Sequence, residues 1–228
     1  MLKTKKQIIE DIKLIDIVVE ILDARIPVSS RNPDMQKIIQ NKKRIVILNK
    51  SDLAEEKETS RWVEYYNKNG IKAIVADANL GKGIKETLKQ IEKIMEEDMQ
   101  KAASKGRIKK NIRIMIMGIP NVGKSSFINR LCNKKTTVVG NRPGVTKQKQ
   151  WVRISNNIEL LDTPGVLWPK FEDEKVALNL SYTGSIKDEI LQTIEVAFSL
   201  LTYLYYNYKS NLAERYKITE NDFEDIKS

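Results

Sequence analysis

Three short apolar runs rich in β-branched residues, DIVVEIL (16–22), RIVILN (44–49) and KAIVAD (72–77), alternate with polar or amphipathic stretches such as NPDMQKIIQNK and EEKETSRWVEYYNKNG. Continuous apolar runs of this length read as strands buried on both faces, and the stretches between them as crossover helices, so parallel strand–helix–strand units are predicted. The segment 83–105 then places Ile84, Leu88, Ile91 and Met95 at helical spacing, which predicts a long helix packed along one stripe. A basic segment, KGRIKKN (105–111), leads into a further strand, IRIMIM (112–117), and the helix KSSFINRLCNKK. The strands WVRIS and IELLD follow, separated by a turn at Asn156-Asn157. After residue 172 the strand signals stop, and apolar residues recur at helical spacing in EKVALNLSYTG and DEILQTIEVAFSLLTYLYYNYK. The expected architecture is an α/β body over residues 1–172, with a mostly parallel sheet and helices on both faces, and a small C-terminal helical region over 173–228.

The strand–helix junction at GIPNVGKSS carries the clearest chemistry. Gly118, Gly123, Lys124 and Ser125 satisfy GxxxxGK[ST] directly after one predicted strand and directly before a predicted helix. Glycines there let backbone N–H groups wrap a phosphate chain, the helix N-terminus adds a positive dipole end, the lysine neutralises charge, and the serine hydroxyl suits magnesium. DTPG at Asp162 follows the strand IELL, where the acid can hold magnesium and the N–H of Gly165 can reach a γ-phosphate. Between them lies RPGVTKQKQ, whose Thr146 hydroxyl completes the expected magnesium shell of Ser125, Thr146 and Asp162. Lys124, Thr146 and Gly165 are accordingly the expected catalytic groups.

A second motif, NKSD, ends the strand RIVILN. An aspartate placed there accepts from both N1–H and the exocyclic amine of guanine, a donor pair that adenine lacks. Asp52 is expected to read the base, Asn49 to tether the site, and the methylene stem of Lys50 to lie against the ring; a plain helix N-cap at Ser51 or Asp52 is the competing reading. The loop ADANLGKG (76–83) is expected to contribute Asp77, Ala78 and Asn79, with a backbone N–H near Ala78 reaching guanine O6. Every motif sits at the carboxyl end of a predicted parallel strand, the edge along which open α/β sheets form ligand crevices, so strand ends 48, 117 and 161 can surround one nucleotide. With the phosphate loop, the expected nucleotide contacts are Asn49, Lys50, Asp52, Asp77, Ala78, Asn79, Gly118, Pro120, Asn121, Val122, Gly123, Lys124, Ser125, Ser126, Thr146 and Gly165.

Composition narrows the setting. No run approaches eighteen apolar residues, and MLKTKKQIIEDIK lacks the apolar core and cleavage site of a signal peptide, so no membrane partner and a cytoplasmic location are expected. One cysteine and no histidine exclude the usual zinc spacings, and Cys132 in FINRLCN reads as a small core residue. Lysine and arginine exceed the acids by 40 to 30, a net +10 that suits a phosphate-rich partner. Arg25, KGRIKK and the lysines of KTKK are candidate RNA phosphate contacts, whereas the tyrosines of LYYNYK (204–209) are expected to pack between helices rather than stack on bases.

Taken together, NKSD, GIPNVGKS, the PGVT loop and DTPG resemble the TRAFAC-class GTPases, and their order, base motif before phosphate loop, resembles the circularly permuted subgroup. Within it, DARIPVSSRNP (23–33), NRPGVTKQKQW and DTPGVLWPKFED resemble the ribosome biogenesis GTPase A family over nearly the whole chain. That resemblance implies GTP and GDP as ligands with magnesium, potassium with Asn121 as one ligand, hydrolysis of GTP, and a partner in the large ribosomal subunit precursor and its ribosomal RNA; a monomer is expected. Family members usually begin with a segment holding a tryptophan, PGH and a histidine that assists catalysis; this sequence has no histidine, and its helical region is shorter, so a truncated form is expected. Val166 stands where Ras-like enzymes use a water-orienting glutamine, and slow intrinsic turnover is expected. The alternative is an RNA-binding switch that holds guanine nucleotides and barely hydrolyses them.

Overall fold

The computed structural model describes residues 2–105, 111–132, 138–139, 151–161, 173–186 and 193–217. The chain divides into two compact units, Met1–Glu172 and Asp173–Ser228.

In the first unit, α1 (Leu2–Ile12) precedes β1 (Ile17–Asp23), α2 (Pro33–Ile39), β2 (Lys43–Asn49), a 3₁₀ turn (Ser51–Leu53), α3 (Glu56–Lys68), β3 (Lys72–Val75), α4 (Ile84–Ser104), β4 (Ile112–Met117), α5 (Lys124–Leu131), β5 (Val138–Val139), β6 (Trp151–Arg153) and β7 (Ile158–Leu161). The strands form one sheet in the order β3-β2-β1-β4-β7-β6-β5. The pairs β3–β2, β2–β1, β1–β4 and β4–β7 are parallel, and β6 runs antiparallel to both β7 and β5. From β1 the chain moves outward through β2 to β3, and α4 then carries it back past both to β4 on the other side of β1. Right-handed crossovers of opposite direction place α2 and α3 on one face and α4 on the other. Strand order therefore reverses between β1 and β4, the point at whose carboxyl ends open α/β sheets take their ligands.

Burial explains why the strand runs do not alternate. All seven residues of β1 are buried, from Ile17 through Asp23. Val18, Met115, Met117 and Leu161 pack against Ile8 and Ile12 of α1 and Met35 and Ile39 of α2, while Leu22, Val46 and Leu48 pack against Tyr66 of α3. The outward-alternating set, Ile17, Val19, Ile21, Ile45 and Ile47, has no accessible surface either, so the central strands are covered on both faces. Helix α2 starts where Asn32 accepts from the Asp34 and Met35 N–H groups, with Pro33 at the first turn.

One acid lies inside this apolar run. Glu20 is buried in β1, where Gln36 donates to it and Arg31 and Arg44 lie 3.7 and 3.6 Å away. Burial pushes its carboxyl up, and the two guanidinium groups and Gln36 pull it down without cancelling that push.

Three elements differ from expectation. Helix α1 was not foreseen, nor the two-residue strand β5. The third strand ends at Val75 instead of 77, because the Asp77 backbone turns to exchange N–H···O bonds of 3.2 and 3.0 Å with Lys82.

In the second unit, α6 (Glu174–Tyr182), α7 (Thr193–Asn207) and α8 (Lys209–Tyr216) are all helical. Asp173 caps α6 by accepting from the Lys175 N–H at 2.8 Å, and the Tyr182 and Ser199 hydroxyls join α6 to α7 at 2.6 Å. The tyrosines contact one another in edge-on pairs such as Tyr205–Tyr206, yet Tyr206 remains 74% exposed, so its ring is not buried by helix packing. Among the described residues no helix is long and apolar enough to cross a membrane. Cys132 closes α5 and is half-buried rather than a full core residue.

Candidate nucleotide-binding site

The phosphate loop runs from the end of β4 to the start of α5 and is set by three backbone constraints. A Cβ on Gly118 would stand 2.8 Å from the Ile21 carbonyl oxygen, so the loop lies too close to β1 for any side chain there. Asn121 and Gly123 adopt positive φ, 61° and 87°, which gives the tight reversal that leads into α5. Ile119 and Val122 are buried and anchor the loop, while Asn121 and Ser125 are exposed and Lys124 is half-buried on the first turn of α5. These residues form the glycine-lined cradle at a helix N-terminus that anion binding requires.

Asn49, at the end of β2, joins this cradle to the base motif. Its Nδ2 donates to the Val122 carbonyl at 2.7 Å and its Oδ1 accepts from the Ala78 N–H at 3.0 Å, with the whole side chain buried. One amide thereby links the ends of β2, β3 and β4. The Ala78 N–H, expected at guanine O6, is donated to Asn49 instead, so Ala78 acts here as an anchor of the loop. Asp77 is likewise turned inward: its Oδ1 accepts from the Asn79 and Leu80 N–H groups at 2.8 and 3.1 Å.

Arg130, near the end of α5, was not anticipated. Its Nε donates to the Ala78 carbonyl at 3.2 Å and its Nη2 to the Asn79 carbonyl. The helix that begins at the phosphate loop thus also holds the loop after β3. These partners lie 51 and 52 residues apart in sequence, and no local pattern announces them.

Lys50 sits in the left-handed region, at φ 59° and ψ 38°, and the 3₁₀ turn Ser51–Leu53 follows it. Neither Ser51 nor Asp52 caps a helix: the turn has no side-chain cap, and α3 begins after Glu55. Asp52 is exposed on this turn. Behind it, Asp23 at the end of β1 has no accessible surface and binds Arg25 through Nε at 2.9 Å and Nη2 at 2.7 Å, with the Lys50 ammonium at 3.2 Å. Arg25, a candidate for RNA phosphate contact by sequence, therefore spends its guanidinium on Asp23. The hint missed in the sequence was a second acid, closing a strand buried along its whole length, since a buried carboxylate needs partners.

Burial pushes the Asp23 carboxyl up, but its hydrogen bonds to Arg25 and the charges of Arg25 and Lys50 outweigh that and hold it below the usual aspartate value of 3.8. With the folded value below the unfolded one, the stabilisation is complete above the unfolded value and is lost as the pH falls through the folded one. Glu20, raised by burial, has the opposite sign, gaining stability as it is protonated. Melting temperatures followed from about pH 6 to pH 3 are expected to fall more steeply at the acid end for the wild type than for Asp23→Asn; parallel curves would refute this.

Of the remaining expected residues, Pro120 and Ser126 lie in the loop and the first turn of α5. Thr146, Asp162, Gly165 and Val166 lie outside the described residues, as does most of KGRIKK.

Comparison with known proteins agrees with this geometry. A family model described as 50S ribosome-binding GTPase matches residues 113–224. Ribosome biogenesis GTPase A of Priestia megaterium is 50% identical over 221 residues, covering 96% of this chain and 77% of that protein. The protein of the same name from Thermotoga maritima is 35% identical over 190 residues, covering 83% of this chain and 65% of its own length. The crystal structure of GNP-bound YlqF from T. maritima superposes with a TM-score of 0.65 at 28% identity, covering 96% of this chain and 78% of that one. Base motif before phosphate loop, both on one sheet edge and tied by a single asparagine, and homologues of this name along nearly the whole chain lead to one conclusion: the chain belongs to the ribosome biogenesis GTPase A family and is a circularly permuted GTPase.

Proposed function

We propose that this GTPase is an assembly factor for the large ribosomal subunit, its GTP form binding the precursor particle and ribosomal RNA, and hydrolysis driving release. The observation that carries the guanine site is Asn49, whose amide holds the base-reading loop and the phosphate loop together. The names of the relatives and a net charge of +10 support the ribosomal partner.

The residues fit the nucleotide and its metal. Gly118 and Gly123 let the loop pack where a Cβ would meet the Ile21 carbonyl and the Asn49 amide, and the loop leads directly into the N-terminus of α5. Lys124 neutralises the β- and γ-phosphates, and Asp52 accepts from the guanine edge. Ser125, with Thr146 and Asp162, would hold magnesium, which when bound offsets the charge gathering on the phosphate oxygens. Asn121, exposed at the turn of the loop, would ligate potassium beside the same phosphates. Gly165 supplies a backbone N–H to the γ-phosphate, and the protein works as a monomer in the cytoplasm.

A second reading rests on Val166, which stands where a water-orienting glutamine would, and on the absence of histidine from this sequence. On that reading the protein is a guanine-nucleotide-controlled RNA-binding switch. GTP turnover with and without large ribosomal subunits, in potassium and in sodium, separates the two. Stimulation of at least about tenfold, equal to ~1.4 kcal/mol of barrier, is expected with subunits in potassium; no stimulation would favour the switch.

A further inference from the structure

The buried carboxylate at the end of β1 has no part in the phosphate or base chemistry described above, yet it is built into the base motif. Asp23 receives Arg25 through Nε, Nη2 and the backbone N–H, at 2.9, 2.7 and 3.1 Å, and the Lys50 ammonium at 3.2 Å. Its own N–H donates to Ser30 Oγ at 3.0 Å, and that hydroxyl donates to the Ile26 carbonyl, which fixes the loop carrying Arg25. Arg25 in turn lies in the field of Asp52. The four side chains alternate in charge from Asp52 through Arg25 and Asp23 to Lys50.

Lys50 holds a left-handed backbone that L residues rarely adopt, and its side chain is only 22% exposed. A lysine in this state needs its ammonium anchored, because a free ammonium would draw the stem toward water through many rotamers. We infer that Asp23 is a positioning residue for guanine recognition: it clamps the Lys50 ammonium so that the methylene stem presents a preset face to the base, while Arg25 holds the carboxylate and balances Asp52. This rests on the reading that NKSD takes guanine. Preorganisation of one long side chain is the source of the effect, since ordering it at the moment of binding would weaken affinity.

Binding of GDP, ADP and inorganic pyrophosphate is to be measured by calorimetry for the wild type, Asp23→Asn, Lys50→Met and the double variant. Asp23→Asn is expected to weaken GDP roughly five- to tenfold and to leave pyrophosphate unchanged, because only the base face is disturbed. Once Lys50→Met has removed the ammonium, Asp23→Asn should cost nothing further. Equal losses for GDP and pyrophosphate, additive losses in the double variant, or an unchanged GDP affinity would each overturn the positioning role. If Asp23→Asn does not fold, Arg25→Met removes the guanidinium that fixes the carboxylate and is expected to weaken GDP without weakening pyrophosphate; equal losses, or an unchanged GDP affinity, would overturn the role. A wild type that binds ADP as tightly as GDP removes the base reading itself and the positioning role with it; guanine selectivity with an additive cycle removes the positioning role alone.

Discussion

Gly123→Ala is expected to lower GDP and GTP affinity by at least roughly a hundredfold, or ~2.7 kcal/mol, while leaving the sheet folded. Two separate costs meet at this position. The backbone is at φ 87°, where a Cβ is strained, and the added methyl would run into Asn49 Nδ2. That nitrogen cannot retreat cheaply, because it donates to the Val122 carbonyl and belongs to a buried amide whose oxygen holds the Ala78 N–H. Alanine at 123 therefore either opens the phosphate loop or pulls the base loop off its anchor. The glycine is usually credited to phosphate contact, yet here the base motif also demands it. A double-mutant cycle separates these explanations. In an Asn49→Ala background the obstacle is gone, and the second substitution should cost only the backbone strain, ~1–2 kcal/mol. Titration with a fluorescent GDP analogue measures both, and a full hundredfold loss in that background would show that Asn49 is not the obstacle.

The same contacts show which parts of the site a sequence displays. The β-branched runs that became β1, β2 and β4 were legible because strands covered on both faces are apolar along most of their length, and the phosphate loop because its glycines and lysine fall at fixed offsets between such a strand and a helix. Their convergence was legible too, since parallel strands share one carboxyl edge. What stayed hidden was contact between side chains and distant backbone. Arg130 reads as a surface charge on α5 until the fold brings the loop after β3 beneath it. Helix α1 was hidden for a different reason: its lysines dilute the pattern, and among the described residues Ile8 and Ile12 mark the face that packs on α2 and β1. Ala78 was placed at the base by its position in the loop, whereas its N–H is the donor that completes Asn49. For Arg130 and Ala78 the local pattern located the element correctly, and the partner was set by strand order.

Asp52→Asn is expected to exchange guanine for xanthine as the preferred base. Guanine offers N1–H and an exocyclic amine, and an ionised carboxylate accepts both; each charge-assisted bond contributes roughly 1.5–3 kcal/mol. An asparagine keeps one acceptor and turns the other atom into a donor, which meets the guanine amine donor to donor. Losing the bond to the amine and leaving that donor unsatisfied together amount to roughly 2.5–6 kcal/mol, or about a hundred- to ten-thousandfold in GDP affinity. Xanthine carries a carbonyl where guanine carries the amine, so the asparagine NH₂ finds an acceptor while its oxygen still takes N1–H, and xanthosine diphosphate should bind in GDP's place. The substitution is a clean probe because Asp52 is exposed on the 3₁₀ turn and caps no helix, so stability should stay within about 0.5 kcal/mol of the wild type. Lys50, Asn49 and the phosphate loop are untouched, and pyrophosphate affinity should therefore not change. Competition between GDP and xanthosine diphosphate for each protein reads the switch directly. Retained GDP preference in Asp52→Asn would place guanine recognition elsewhere on this edge, whereas a loss of GDP without a gain of the xanthine nucleotide would mean that Asp52 supports the turn rather than reads the base.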